Sequence, residues 1–173
     1  MSKVIVIGGG PAGMMAAITA SHKNQVILIE KNEKLGKKLY ITGKGRCNIT
    51  NSRDISEFFH AIPGNANFLY SALYGFSNED TMNFFSKNGV ELKVERGERV
   101  FPQSDKSSDI IRAFENELVN SNVDVRLNKK VIKIISENNK IIAVELNNGE
   151  IINADYFIFS TGGLSYPQTG STG

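Results

Sequence analysis

Val4-Ile-Val-Ile-Gly-Gly-Gly-Pro-Ala-Gly13 decides the fold. The opening four residues are a continuous apolar run rich in β-branched side chains, as expected of a parallel strand buried on both faces. Three spaced glycines follow at once: Gly8 for a tight turn, Gly10 for a backbone that a pyrophosphate can approach, and Gly13 for close helix–strand packing. Met14 to Ala20 reads as the helix that follows, with Pro11 where a first turn tolerates proline. Val26-Ile-Leu-Ile29 is a second buried strand and ends on Glu30. Strand, glycine turn, helix, strand and acid fall within about 30 residues, the context in which this glycine spacing becomes specific. The helix N-terminus offers unpaired N–H groups and partial positive charge to phosphate. A carboxylate at Glu30 can accept hydrogen bonds from both hydroxyls of an adenosine ribose and would repel a 2′-phosphate, which disfavours NADP here. The motif alone does not separate FAD from NAD.

Beyond Glu30 the pattern changes. Residues 31–53 carry three glycines and many cations with no helical or strand period, which predicts a long functional loop. Residues 54–88 read as mostly helical, with Ser77 and Asp80 as a capping box and Asn88-Gly89 as a helix stop. Val90, Leu92 and Val94 alternate with charged residues, a half-buried strand turned by Arg96-Gly97 into Arg99–Phe101. Ile110, Ile111, Phe114 and Leu118 mark the apolar face of a helix over 105–121. From Val123 the chain reads as strands, 123–127, 131–136, 140–146 and 150–153, with Asn138-Asn139 and Asn148-Gly149 as hairpin turns. Tyr156-Phe-Ile-Phe159 is one more strand of buried type and runs into Ser160-Thr-Gly-Gly163. The fold class is therefore α/β, a central parallel sheet with an antiparallel meander.

Composition excludes several classes. Forty per cent of the 173 residues are hydrophobic and 22% charged, which argues against disorder. A net charge of +2 gives no electrostatic case for a nucleic-acid partner. No apolar run approaches the roughly 20 residues of a membrane span. No secretory signal pattern opens the chain, so a cytoplasmic location is expected. The single cysteine, Cys47, excludes an intrachain disulfide and the dithiol couple of a disulfide reductase. No His, Cys, Asp and Glu cluster has metal-ligand spacing.

Four features together resemble the glutathione-reductase-type FAD domain: the glycine motif near the N-terminus, a glycine-rich insert after Glu30, a meander at 129–153, and a strand ending in Thr161-Gly-Gly163, with Ser160 where alanine is usual. Gly36-Lys-Lys-Leu-Tyr-Ile-Thr-Gly-Lys-Gly-Arg-Cys-Asn-Ile-Thr-Asn51 is more specific and resembles the signature of the aminoacetone-oxidase-like family of bacterial FAD/NAD(P)-dependent oxidoreductases. Arg99-Val-Phe-Pro-Gln-Ser104 and the segment from Thr161 to Gly173 agree with it, while Lys44 stands where a loop glycine is usual. The resemblance implies a Rossmann-like FAD-binding domain. It also implies that the chain is the N-terminal part of a longer one, with an inserted substrate domain and a C-terminal FAD segment absent from these 173 residues.

It implies cofactor contacts as well. In the opening unit these are Gly8, Gly10, Pro11, Ala12, Gly13, Glu30 and Lys31. The backbone of Val131 would meet the adenine, and Thr161, Gly162 and Gly163 would pass near the flavin. Thr42, Gly43, Gly45 and Asn48 can offer donors to the flavin or its diphosphate, and Lys38 and Arg46 can neutralise charge there. Lys37, Lys38 and Lys44 also read as solvated loop charge. The resemblance also places Cys47 among the cofactor contacts; its side chain reads either as a small buried residue or as a thiolate favoured by Arg46. Tyr166 and Pro167 serve the ring system or loop packing. No histidine lies between residues 31 and 59, which predicts noncovalent FAD. The implied reactions are oxidation of a small amine by oxygen, or reduction of an unsaturated small molecule with NADH or NADPH as donor. No catalytic acid or base stands out. A non-catalytic dinucleotide-binding module is the alternative.

Overall fold

A computed structural model describes residues 1–171; Thr172 and Gly173, the end of the Thr161–Gly173 segment, lie outside the described residues. In chain order the elements are β1 (Lys3–Ile7), α1 (Pro11–Ser21), β2 (Gln25–Ile29), β3 (Thr50–Asn51), α2 (Ile55–Ala61), α3 (Tyr70–Gly75), α4 (Asn78–Lys87), β4 (Leu92–Glu95), β5 (Arg99–Pro102), α5 (Ser107–Asn120), β6 (Asp124–Arg126), β7 (Val131–Glu137), β8 (Lys140–Leu146), β9 (Ile151–Asn153) and β10 (Tyr156–Phe159). The chain forms two compact units, one of Met1–Leu39 with Phe114–Gly173, the other Tyr40–Ala113.

The first unit is built on a parallel sheet of order β10-β1-β2-β6. Its inner strands are apolar on both faces because both faces are covered. Alternate residues Ile5, Ile7, Ile27 and Ile29 pack on Val144, Leu146 and Ile152 of the antiparallel meander β7-β8-β9. On the other face lies α1, whose Met14, Ala17 and Ile18 are buried. The α/β architecture read from the sequence is thus the architecture of this unit.

One strand departs from expectation. Tyr156–Phe159 reads as buried, yet Tyr156 is 62% and Phe159 46% exposed. Strand β10 is an edge strand among the described residues, paired only with β1, so only Phe157 reaches the shared core.

The second unit holds an antiparallel sheet of order β3-β5-β4 with helices α2, α3 and α4. The capping box at the start of α4 is present: Ser77 Oγ accepts from Asp80 N at 3.1 Å, and Ser77 N donates to the Asp80 carboxylate at 2.8 Å. The loop expected over 31–53 is more ordered than its sequence suggests. Leu39–Gly45 makes short 3-10 turns broken at Thr42–Lys44, and Thr50–Asn51 pairs with Val100 and Arg99.

Candidate functional site

Strand β1 delivers the chain into the glycine turn. Gly8 has φ +108°, and a Cβ there would overlap the Ser160 carbonyl oxygen at the end of β10. A Cβ on Gly13 would overlap the carbonyl oxygen of Gly8. These two glycines therefore let the turn, α1 and β10 close on each other. Gly10 differs. It is the N-cap of α1 in extended conformation (φ −77°, ψ 179°), and a Cβ there would meet no protein atom within 4 Å. Nothing in the protein requires a glycine at that position; close approach of a ligand would. No side chain caps α1, so its first-turn N–H groups face outward without an intrahelical acceptor.

The turn forms the floor of a cleft of about 490 Å³. Of the residues singled out in the sequence, Gly8, Gly10, Pro11, Ala12, Glu30 and Lys31 line it. So do Lys38, Val131, Thr161, Gly162 and Gly163, brought in from the end of β10, the start of β7 and the chain after β2. Gly13 stands behind them, buried in α1.

Glu30 is 8% exposed and well ligated. Its Oε2 accepts from Gly9 N at 2.6 Å, and its Oε1 accepts from the backbone N and side-chain Nδ2 of Asn32 at 2.8 and 2.7 Å. Asn32 Nδ2 also donates to the Thr169 carbonyl at 3.3 Å. Sequence reading passed over Asn32, whose importance appears only once Thr169 is folded beside it.

Lysines surround this one acid. Lys31, Lys37, Lys38, Lys129 and Lys130 all line the cleft. Lys37 lies 3.4 Å from Glu33, and Lys38 donates to Ser165 Oγ at 3.4 Å. The ammonium groups of Lys31, Lys129 and Lys130 have no carboxylate partner among the described residues. Lys129 and Lys130 carried no local signal, since an Asn-Lys-Lys turn before a strand is ordinary. An open position above Gly10, free helix N–H groups, several cations and one buried carboxylate fit a dinucleotide diphosphate with its ribose.

Thr42, Gly43, Gly45, Arg46, Cys47 and Asn48 belong to the second unit. There they form a tight, partly left-handed loop, with positive φ at Gly43, Lys44, Gly45 and Cys47. Cys47 N donates to the Thr42 carbonyl at 3.1 Å, and Asn48 Nδ2 donates to the carbonyls of Thr50 and Val100. Arg46 bonds both oxygens of Glu95 at 2.8 and 3.1 Å and Asp105 Oδ1 at 3.2 Å, with its guanidinium 4.2 Å from the Phe101 ring centroid. Lys93 bonds Asp105 at 2.6 Å. The hydrogen bond from Arg46 lowers the pKa of Glu95, and the bond from Lys93 lowers that of Asp105. Cys47 is 1% exposed; burial pushes its thiol up, against a weaker opposing hydrogen bond with Thr42. Of its two readings, the small buried residue is the one this environment matches. No metal-binding group of three or more His, Cys, Asp or Glu occurs among the described residues, and no helix is long and apolar enough to cross a membrane.

Comparison with known proteins places this geometry in context. The family model described as "HI0933-like protein Rossmann domain" matches residues 2–173. A 3-dehydro-bile acid delta(4,6)-reductase of Clostridium scindens is 31% identical, over 100% of this chain and 42% of the relative. A ribosomal RNA dihydrouridine synthase of Escherichia coli is 29% identical, over 97% of this chain and 41% of the relative. The chain thus spans about two-fifths of the length of these curated relatives. Among solved structures, the open conformation of a flavocytochrome c3 fumarate reductase matches the fold with TM-score 0.66 and 22% identity, over 94% of this chain and 34% of that one.

Proposed function

The chain belongs to the HI0933-like Rossmann family, and we propose that it supplies the nucleotide-binding part of an FAD-dependent reductase that saturates an activated carbon–carbon double bond in a small molecule. The observation that carries this reading is the cleft, where an open glycine N-cap, free helix N–H groups and a buried carboxylate stand together. FAD, when bound, supplies a hydride acceptor and donor, chemistry that no side chain offers. The Gly8–Gly13 turn and the start of α1 would hold the diphosphate, with cleft lysines balancing its charge. Glu30 would take the adenosine ribose, the Val131 backbone the adenine, and Thr161–Gly163 would flank the flavin. The contact is noncovalent, and NADH or NADPH is the proposed electron donor.

The names of two relatives favour reduction over the amine oxidation associated with the aminoacetone-oxidase-like resemblance. A delta(4,6)-reductase and a dihydrouridine synthase both denote hydrogen added across a double bond. The second name brings RNA forward as a rival substrate. The net charge of +2 on this chain supplies no electrostatic case for RNA.

The full-length protein, purified and reconstituted with FAD, tests the reading. Bound FAD should be bleached anaerobically by NADH or NADPH and recover its colour on adding an unsaturated ketone. Failure to take up FAD refutes the proposal, and FAD that no nicotinamide donor reduces points to a non-catalytic binding module. Recovery only with unmodified ribosomal RNA, or oxygen uptake driven by a small amine, assigns the protein to one of the rival substrates.

A further inference from the structure

We propose that Tyr166 is a substrate-binding residue: its hydroxyl donates a hydrogen bond to the carbonyl oxygen that activates the substrate's double bond. The inference rests on the reductase reading of the cleft and deepens it, by assigning the group that holds the substrate.

Tyr166 sits in the left-handed region, at φ +54° and ψ +61°. Two rules oppose that conformation. A bulky side chain rarely adopts a positive φ, and a residue before proline is driven to extended backbone. Glycine would make the turn at lower cost. The surrounding chain nevertheless holds the tyrosine there. Its carbonyl accepts from Thr169 N at 3.0 Å and from Thr169 Oγ1 at 2.8 Å, and the Pro167 carbonyl accepts from Gly170 N at 2.9 Å. The buried Thr169 is tied in turn to Asn32 Nδ2 through its own carbonyl, and Ser165 Oγ accepts from Lys38 Nζ. Packing does not account for the residue. Tyr166 is 59% exposed, and its hydroxyl has no hydrogen-bond partner among the described residues. Strain that the surroundings enforce, with nothing gained inside the fold, is a property of ligand sites. The position suits one. Residues 161–163 before the tyrosine and 169–171 after it line the cleft, while Tyr166 does not. Its phenol therefore takes no place that a dinucleotide needs and stays available to a second ligand. A double bond is activated by the carbonyl conjugated to it, and that oxygen accepts what a phenol O–H donates. One hydrogen bond there orients the substrate and draws electron density from the double bond toward the oxygen.

Ligand binding to the full-length, FAD-loaded protein in its oxidised form tests this without turnover. The probes are cyclohexanone and methylenecyclohexane, which has the same shape but no carbonyl oxygen, each followed by the perturbation of flavin absorbance. Tyr166→Phe keeps the ring and the backbone and removes the hydroxyl. It should bind cyclohexanone about five-fold more weakly than wild type, the scale of one neutral hydrogen bond, with FAD affinity unchanged. Methylenecyclohexane should bind both proteins alike. Tyr166→Gly should weaken cyclohexanone at least as much and raise the Tm by about 2 °C, because the turn loses its strain. Wild-type affinity for cyclohexanone in Tyr166→Phe overturns the proposal, as does an equal loss for both probes. A Tm lowered or unchanged in Tyr166→Gly also overturns it, by giving the tyrosine a structural role. Wild type that takes up FAD but binds no cyclohexanone overturns it together with the ketone reading of the substrate. Wild type that takes up no FAD overturns the reading of the cleft itself, which distinguishes the failures.

Discussion

The three glycines of the turn make different demands, so substituting them separates folding from ligand binding. Gly13→Ala places a methyl group on the carbonyl oxygen of Gly8 and 3.3 Å from Ser160 Cβ. The main obstacle is backbone, held by the Gly8 N–H bond to the Ile29 carbonyl at 2.8 Å, so it cannot yield by a rotamer change. Overpacking of that kind should cost about 3 kcal/mol. For a chain of this size that is a fall of roughly 6–12 °C in Tm. Gly10→Ala meets nothing, and its backbone angles suit any residue. Its stability should stay within about 0.5 kcal/mol of wild type. The same methyl group projects into the space a diphosphate would use. It should remove one or two charge-assisted hydrogen bonds, each about 1.5–3 kcal/mol, and weaken FAD or ADP binding about ten-fold or more. Thermal unfolding followed by circular dichroism, with calorimetric titration of ADP, gives both quantities on the same samples. Wild-type ADP affinity in Gly10→Ala, or a loss of stability matching that of Gly13→Ala, would refute the division of labour.

Other expectations follow from the charges. Folded Cys47 holds its proton more tightly than the unfolded thiol, so its contribution to stability is complete below the ordinary thiol pKa of 9.0 and declines as pH rises above it. Cys47→Ala should flatten the alkaline limb of a Tm-versus-pH curve, and native Cys47 should react with a thiol reagent only as fast as the protein opens. Glu95 and Asp105 are depressed, so their contribution is present above the ordinary carboxylate range and is lost as pH falls through their lowered values. Arg46→Met should blunt that acid loss; an unchanged acid limb would show that the ion pairs contribute nothing. Lys129→Gln with Lys130→Gln should lower the association rate of ADP at low salt and reduce its salt dependence, with the dissociation rate changing less. Equal association rates in stopped-flow would remove these lysines from the electrostatics of the cleft.

The β1–turn–α1–β2 unit was legible because every determinant is local: an apolar run, a glycine spacing and an acid within one stretch of chain. The meander was legible for the same reason, through its alternation and its Asn and Gly turns. What escaped reading depends on partners far away in sequence. Thr50–Asn51 becomes a strand only because Arg99 and Val100 lie beside it. The apolar run at Tyr156–Phe159 looked interior, yet exposure depends on how many strands flank β10, which its composition does not encode. Asn32 follows Glu30 by two positions, in a stretch without helical or strand period, and nothing local distinguishes it. Its role needs Thr169, 137 residues further on. Arg46, conversely, carried a strong motif signal, but the carboxylates it bonds come from a separate strand and turn.

The order of the parallel sheet also sets a timetable. Gly9 can find Glu30 across only 21 residues, so β1, α1 and β2 can associate early. The other wall of the turn arrives far later: Lys3 N bonds Asp155 across 152 residues, and Ser160 N bonds the Ile7 carbonyl just beyond it. Between those moments the chain builds Tyr40–Ala113, which closes on contacts of its own. Loop closure over such separations is slow compared with local pairing. On a ribosome the inner strand Val4–Ile7 would therefore wait for about 150 further residues before the strand that covers its second side emerges. The Gly8–Gly13 turn would therefore gain its second wall long after its own sequence has emerged.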